Sequence, residues 1–167
     1  LEKAGIAVTR DERDRIEVAD FGLGMLDKIG LQILVYVNTE RVCAKELVLL
    51  PGQICPEHRH PPVAGEPGKE ETFRCRWGKI FLYVPGNEEE NADLSGLLPA
   101  GKEKFFTAKK EIVLSPGEQY TLGPNTLHWF MASDRGAILS EFSTRSRDES
   151  DIFTDPDIKR IPEIEEK

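Results

Sequence analysis

Short apolar runs separated by turn residues make up most of the chain from Leu31 onward. Val, Ile, Leu, Phe and Tyr are frequent in these runs, and Gly, Pro, Asn and Asp lie between them. The runs are LQILVYV, VCAKELVLLPG, TFRCRWGKIFLYVPG, EIVLSPGEQYTL, LHWFMAS and GAILSEFS. This pattern is typical of successive β-strands. With little helix between the strands, it predicts an all-β sandwich, barrel or jelly roll over residues 31–147.

The segments on either side of this block have a different pattern. Residues 1–30 are predicted to form an arm of helix and loop, because Thr9 followed by Glu12 fits a capping box and glycines then interrupt any long helix. Residues 148–167 form an acidic tail. We expect this tail to pack on the same domain through a few apolar side chains such as Phe153.

Length and charge narrow the classes of function. A chain of 167 residues is the size of one domain, and its net charge of -8 makes nucleic acid an unsuitable partner. No apolar run approaches the roughly 20 residues that span a bilayer, and the first residues do not have the pattern of a signal peptide. The three scattered cysteines favour a reducing compartment. We therefore expect a cytoplasmic protein with no membrane or nucleic-acid partner.

All three histidines of the chain fit one candidate site. His58 and His60 are two positions apart, so on an extended strand both imidazoles lie on the same face. Glu71 comes just before the run TFRCRWG, and His128 lies in the later run LHWFMA. Three imidazoles and one carboxylate suit a divalent ion such as Mn, Fe, Co, Ni or Zn. An octahedral ion bound in this way keeps two positions for substrate oxygens. Glu70 is an alternative ligand by adjacency.

The spacing around these residues resembles the cupin family. Gly52, five residues and the His58–His60 pair resemble the opening of the first cupin motif, and Glu71 followed after six residues by Gly78 resembles its close. The stretch from Pro124 to His128 stands in for the second motif. The insertion PPVAGEPGKE makes the gap between His60 and Glu71 longer than is usual in the family. The resemblance implies a jelly-roll β-barrel that carries a metal ion on these residues.

Longer blocks resemble one group of cupins, the D-lyxose isomerases. These blocks are NTERVCAKELVLLPGQICPEHRHPP, GKEETFRCRWGKIFLYVPG, TLHWF and SEFSTRSRDESDIF. The resemblance implies an aldose–ketose isomerase that interconverts D-lyxose with D-xylulose, and D-mannose with D-fructose. It also implies a monosaccharide substrate, a homodimer and a Mn²⁺ cofactor, with Co²⁺, Fe²⁺, Ni²⁺ or Zn²⁺ as other possible ions.

Moving a proton between C1 and C2 of a sugar requires a base near the carbonyl group. Glu141 is our first candidate, because it shares a strand face with Leu139 and is expected to point into a half-buried site. The alternative is that Glu141 faces solvent at the strand edge. Lys45 is the second candidate and shares a face with Leu47. Both faces of its strand are apolar, so Lys45 is either an inward ammonium or a stem that reaches toward water.

Further residues near these positions are candidates for binding the sugar. Arg145, Asp148 and Asp151 follow Glu141 closely, and Lys69 lies in the inserted loop; each either binds sugar hydroxyls or is simply solvated. Trp129 and Phe130 follow His128. One of the two is expected to line the pocket against the carbon face of the sugar, and Trp129 is the candidate that we assign to this role.

A cupin metal site does not by itself identify a reaction. A non-haem iron dioxygenase is compatible with the same three histidines and one glutamate. A sugar-binding module without catalytic activity is also compatible with them. The leading hypothesis is a metal-dependent isomerase of free pentoses or hexoses, since no glycine-rich phosphate loop is visible.

Overall fold

The computed structural model describes residues 1–161, which are almost entirely strands and connecting loops. The elements are one helical turn, α1 (Arg10–Arg13), and the strands β1 (Glu17–Ala19), β2 (Leu31–Asn38), β3 (Cys43–Leu49), β4 (Ile54–Arg59), β5 (Glu71–Val84), β6 (Lys110–Leu114), β7 (Gln119–Leu122), β8 (His128–Ser143) and β9 (Ile152–Phe153), with a few short 3-10 turns. The all-β prediction is confirmed. Thr9 begins α1 with the predicted capping box, in which the Thr9 hydroxyl accepts from the Glu12 amide.

Strands also occur outside the block that the sequence pattern indicated. In the predicted arm over residues 1–30, β1 pairs antiparallel with β2. In the predicted tail over residues 148–167, β9 pairs with β4. The last part of that tail, residues 162–167, lies outside the described residues. Within residues 1–161, no helix is both long and apolar enough to span a membrane.

One sheet of nine strands forms the body of the protein. The strands are hydrogen-bonded in the order β1-β2-β3-β8-β4-β9, and β5 pairs with β6, β7 and β8. The two longest strands, β5 and β8, run antiparallel from Glu71 opposite Ser143 to Tyr83 opposite Trp129. The second half of β8 pairs with β3 and its first half pairs with β4, so this one strand connects the two parts of the sheet.

The long strands bend in the middle, where two glycines meet. Gly78 and Gly136 both have positive φ, of 75° and 83°, and the register of β5 against β8 shifts on both sides of Gly78. A straight strand would place Ser143 about 50 Å from His128. Instead, Glu71, which is paired with Ser143, contacts His128 at the other end of β8. The bend therefore closes the sheet into a barrel and brings the two strand ends together.

The inside of the barrel is apolar except at one end. The main cluster of buried side chains includes Leu47, Phe73, Leu82, Phe130 and Leu139. A second and smaller cluster lies on the other face of β8 around Trp129. Most of the buried residues that can carry a charge line one cavity beside the main cluster, and this cavity contains the candidate site.

Gly78→Ala should destabilise the protein by at least about 2 kcal/mol, because it combines a strained positive φ with a steric clash. A Cβ at Gly78 would lie 2.1 Å from the Gly136 carbonyl oxygen, whereas a Cβ at Gly52, with φ of 68°, would meet nothing within 4 Å. Urea unfolding of Gly78→Ala and Gly52→Ala separates the cost of the positive φ, which both variants have, from the cost of the clash, which only Gly78→Ala has. An equal loss of stability in Gly52→Ala and Gly78→Ala would show that the close approach of the two strands is unimportant.

Candidate functional site

The four predicted metal ligands converge inside the barrel. His58 on β4 pairs directly with His128 on β8, His60 follows β4, and Glu71 begins β5. The ligand atoms of the three imidazoles lie within 4.8 Å of one another. Glu71 Oε1 is 3.1 Å from His60 Nε2 and 3.2 Å from His128 Nε2. Two atoms that each lie about 2.1 Å from one ion, at right angles, are about 3 Å apart, so the spacing suits a shared divalent ion.

The hydrogen bonds of the three rings direct one nitrogen of each toward the centre. His58 Nδ1 and His128 Nδ1 donate to main-chain carbonyls two residues earlier, over 2.8 Å and 2.9 Å. His60 Nδ1 lies 2.5 Å from Asp151 Oδ1. The Nε2 atoms of His60 and His128 are buried and have no hydrogen-bond partner in the described part of the chain. Such unpaired, converging nitrogens are the arrangement that a bound metal ion satisfies.

The protonation of these groups is compatible with metal binding. Burial holds the pKa of His58 well below its ordinary value and lowers the pKa of His128 to about 4. Burial raises the pKa of Glu71, but Lys69 and His60 outweigh it and hold this pKa well below its ordinary value. Burial lowers the pKa of His60, yet Glu71 raises it to about 9, so a divalent ion on Nε2 would replace a proton.

The inserted loop brings Lys69 to the ligands. Gly68 lies against the main chain of His60, where a Cβ would be 2.0 Å from the carbonyl oxygen. The next residue, Lys69, donates from Nζ to Glu71 Oε2 at 2.7 Å and to Glu141 Oε1 at 2.8 Å. Burial lowers the pKa of Lys69, but the two carboxylates outweigh burial and leave it well above its ordinary value. Lys69 is therefore an ammonium ion that links the ligand Glu71 to Glu141.

Glu141 and Lys45 both face the cavity. The register of β3 against β8 places them opposite each other, and both side chains are buried, with 4% of each residue exposed. Glu141 Oε1 also accepts from Ser143 Oγ at 3.1 Å. Lys45 Nζ donates to Ser146 Oγ at 2.8 Å and to Asp148 at 3.1 Å. Burial lowers the pKa of Lys45, but Glu141 and Asp148 outweigh it and leave this pKa raised.

Two of the candidate sugar-binding residues do not reach this cavity. Trp129 points to the opposite face of β8, where it stacks on Tyr83 with ring centroids 3.9 Å apart and donates from Nε1 to the Ala108 carbonyl. Because side chains alternate along a strand and His128 faces inward, Phe130 lines the cavity instead. The assignment of Trp129 to the pocket wall is thus corrected. Arg145 pairs with Glu40 and lines a small neighbouring cavity, which it shares with His60, Lys69 and Asp151.

The remaining candidates are at the site, but as parts of ion pairs. Asp148 binds Lys45 and also accepts from Arg160, and Asp151 contacts His60. Glu70, the alternative metal ligand, is exposed, and its main-chain amide donates to Thr144. Lys69, Asp148 and Asp151 line the same cavity as the predicted ligands His58, His60 and Glu71.

The sequence pattern missed several residues of the cavity wall, among them Phe153 and Arg160. Phe153 stacks on the ring of His58, with centroids 5.4 Å apart and an interplanar angle of 27°. Arg160 lines the cavity and pairs with Asp148 and Glu17. Both residues lie in the predicted tail, which reaches the barrel through the pairing of β9 with β4 and through contacts such as the hydrogen bond from the Lys159 amide to the Phe21 carbonyl. The signal for Phe153 in the sequence is the apolar pair Ile152–Phe153 within an acidic segment.

Solved structures show what this fold is similar to. The L-ribose isomerase of Cellulomonas parahominis, solved with L-ribose, superposes with a TM-score of 0.76 over 94% of this chain and 87% of that one, at 17% identity. The L-ribose isomerase of Geodermatophilus obscurus superposes with a TM-score of 0.69 over 96% of this chain and 83% of that one, at 18% identity. At this identity the similarity shows the fold, and the predicted cupin-type barrel is confirmed.

Sequence comparisons identify the family. A D-lyxose/D-mannose isomerase of Thermosediminibacter oceani is 66% identical over 166 residues, which are 99% of this chain and 91% of the relative. A D-lyxose ketol-isomerase of a Thermofilum species is 64% identical over 164 residues, which are 98% of this chain and 90% of the relative. The family model for D-lyxose isomerase matches residues 6–167. The chain belongs to the D-lyxose isomerase family.

Proposed function

We propose that this isomerase is metal-dependent and interconverts D-lyxose with D-xylulose, and D-mannose with D-fructose, through an enediol. The observation that carries the proposal is the link through Lys69, which holds the Glu141 carboxylate next to the metal ligand Glu71. A base beside a cation site is what proton transfer between two sugar carbons requires. The names of the relatives support the choice of sugars.

For the cofactor we propose Mn²⁺, held by His58, His60, Glu71 and His128. The unpaired Nε2 atoms and the mixed nitrogen and oxygen donors support a divalent ion here. Co²⁺, Fe²⁺, Ni²⁺ or Zn²⁺ suits the same donors. When bound, the ion supplies positive charge that stabilises the negative oxygens of the developing enediolate.

We assign the proton transfer between the sugar carbons C2 and C1 to Glu141. Both of its described hydrogen bonds, from Lys69 and from Ser143, end on Oε1, so the proton from C2 of the open-chain aldose is taken by Oε2. The C1–C2 double bond forms as that proton leaves and the carbonyl oxygen at C1 gains a proton. After the proton on Glu141 has exchanged with solvent, Glu141 protonates C1, while the hydroxyl at C2 loses its proton and becomes the ketose carbonyl.

Lys45 and Lys69 have different tasks in this scheme. Lys69 is bound between two carboxylates and orients the Glu141 side chain through its hydrogen bond to Oε1. Lys45, opposite Glu141 on the neighbouring strand, gives a proton to the carbonyl oxygen at C1 and takes the proton that the C2 hydroxyl later loses. Asp148 and Ser146 hold the Lys45 ammonium in place through their hydrogen bonds.

We also propose a homodimer located in the cytoplasm. Phe142 is 50% exposed and Val37 is 39% exposed, and both lie next to Ala44 in adjacent strands. An exposed apolar sheet face of this kind favours association. Cys43, Cys55 and Cys75 are all free and buried, which supports a reducing compartment.

Incubation of the Mn²⁺-loaded protein with D-lyxose in heavy water tests the proposed reaction. We expect D-xylulose that carries solvent deuterium at C1, detected by NMR, with equal rates in air and under anaerobic conditions. Turnover that depends on oxygen would instead indicate a dioxygenase. Saturable sugar binding without product or deuterium exchange would indicate a binding module. No conversion of D-lyxose, D-mannose or D-fructose would rule out the proposed isomerase.

A further inference from the structure

The three histidines of the metal site are held in two different ways. The rings of His58 and His128 are oriented by carbonyl groups two residues earlier in the same segment. The ring of His60 is oriented by Asp151, a carboxylate 91 positions later in the chain. Two of the proposed ligands are thus oriented by nearby residues in the chain, whereas the third is oriented by a distant segment.

Asp151 is well placed to orient the His60 ring because the residues that follow it are bound to β4. Immediately after it, β9 pairs with β4, with Ile152 opposite Arg59 and Phe153 opposite His58. Thr154 then donates from Oγ1 to Glu57 Oε1 at 2.7 Å, and Glu57 itself lies on β4. The segment that carries Asp151 is therefore attached to the strand that leads into His60.

The contact determines which nitrogen of His60 is available. A carboxylate at 2.5 Å from Nδ1 orients the His60 ring so that Nε2 faces Glu71 and the centre of the site, where an ion would replace the Nε2 proton. A carboxylate partner also increases the basicity of the ring more than a neutral carbonyl does. The Asp151 Oδ1 atom is already engaged by His60, which leaves only Oδ2 for any other partner.

We propose that Asp151 is a positioning residue for the metal ligand His60 and not a sugar-binding residue. The proposal rests on the metal-dependent function given above. In this role Asp151 links the metal site to the segment 148–161, because this segment supplies the carboxylate that orients His60.

The test measures the affinity for Mn²⁺ alone, in the absence of sugar, by competition with a chelator. Asp151→Ala should weaken Mn²⁺ binding about 10- to 100-fold, as is typical for loss of an outer partner of a metal-bound histidine. Asp151→Asn keeps an acceptor oxygen without the charge, so its affinity should be intermediate. This graded rescue is not expected of a residue that only packs.

Asp155→Asn is the matched control. Asp155 is a buried carboxylate of the same segment and pairs with Lys102, away from the metal ligands. We expect unchanged Mn²⁺ affinity in this variant. Circular dichroism of each metal-free variant checks folding, and if Asp151→Ala fails to fold, the test relies on Asp151→Asn.

Three results would overturn the proposal, and they are distinguishable. Unchanged Mn²⁺ affinity in Asp151→Ala and Asp151→Asn, with a raised KM for D-lyxose, would make Asp151 a sugar-binding residue. Equal weakening in Asp155→Asn would assign the effect to docking of the segment and not to the contact with His60. Absence of Mn²⁺ binding by the unsubstituted protein would overturn both this proposal and the metal-dependent function.

Discussion

Glu141→Gln should lower the turnover of D-lyxose about 100- to 10,000-fold while leaving Mn²⁺ bound, because it removes the group that we assign to carbon proton transfer. The amide has nearly the same shape, and its oxygen still accepts from Lys69. Glu141 is not among the four ligand residues, so the metal site is retained. Steady-state kinetics with D-lyxose and metal analysis of the dialysed protein provide the two measurements.

Glu46→Gln is the control for neutralising a buried carboxylate. Glu46 lies next to Lys45 on β3 and is only 3% exposed, but it faces the opposite side of the sheet, where Ser140 donates to it. Turnover should be retained in this variant. Near-normal turnover in Glu141→Gln, or an equal loss in Glu46→Gln, would show that the base has been assigned to the wrong residue. Loss of Mn²⁺ from Glu141→Gln would place Glu141 among the residues that hold the ion.

His128→Ala should remove both the bound metal ion and the activity. His128 is completely buried, and its Nε2 is one of the two unpaired nitrogens directed at the centre. Removing a direct ligand should weaken Mn²⁺ binding beyond the 10- to 100-fold loss that is typical of outer partners. Turnover should fall by at least about 100-fold, since loss of charge stabilisation commonly costs about 3 kcal/mol. Chelator competition and steady-state kinetics test these expectations.

Trp129→Phe is the matched control for a change in the buried part of β8. Trp129 is adjacent to His128 and equally buried, but it faces the second cluster and donates to Ala108. This variant should lose some stability through the missing hydrogen bond, by about 1 kcal/mol, and keep its Mn²⁺. Retention of Mn²⁺ at normal affinity by His128→Ala would contradict the proposed ligand set.

Local periodicity accounts for which of the candidate residues share a strand face. His58 and His60 share a face because strand side chains alternate, and the same rule places Leu139 and Glu141 together. The same rule excludes Trp129 from the cavity wall. Once His128 is taken to face inward, alternation requires Phe130 and not Trp129 to line the cavity.

The sequence by itself determined most of the strands and the family, because strand patterns and family motifs depend on residue types at short spacings, and it proposed a donor set for the metal ion. Only the tertiary structure decided the rest of the site. Pairing of β3 with β8 places Lys45 opposite Glu141, and the inserted loop places Lys69 between two carboxylates. Docking of β9 brings Asp151 to His60. These contacts join residues far apart in the chain, and local periodicity contains no information about which distant segments will pair.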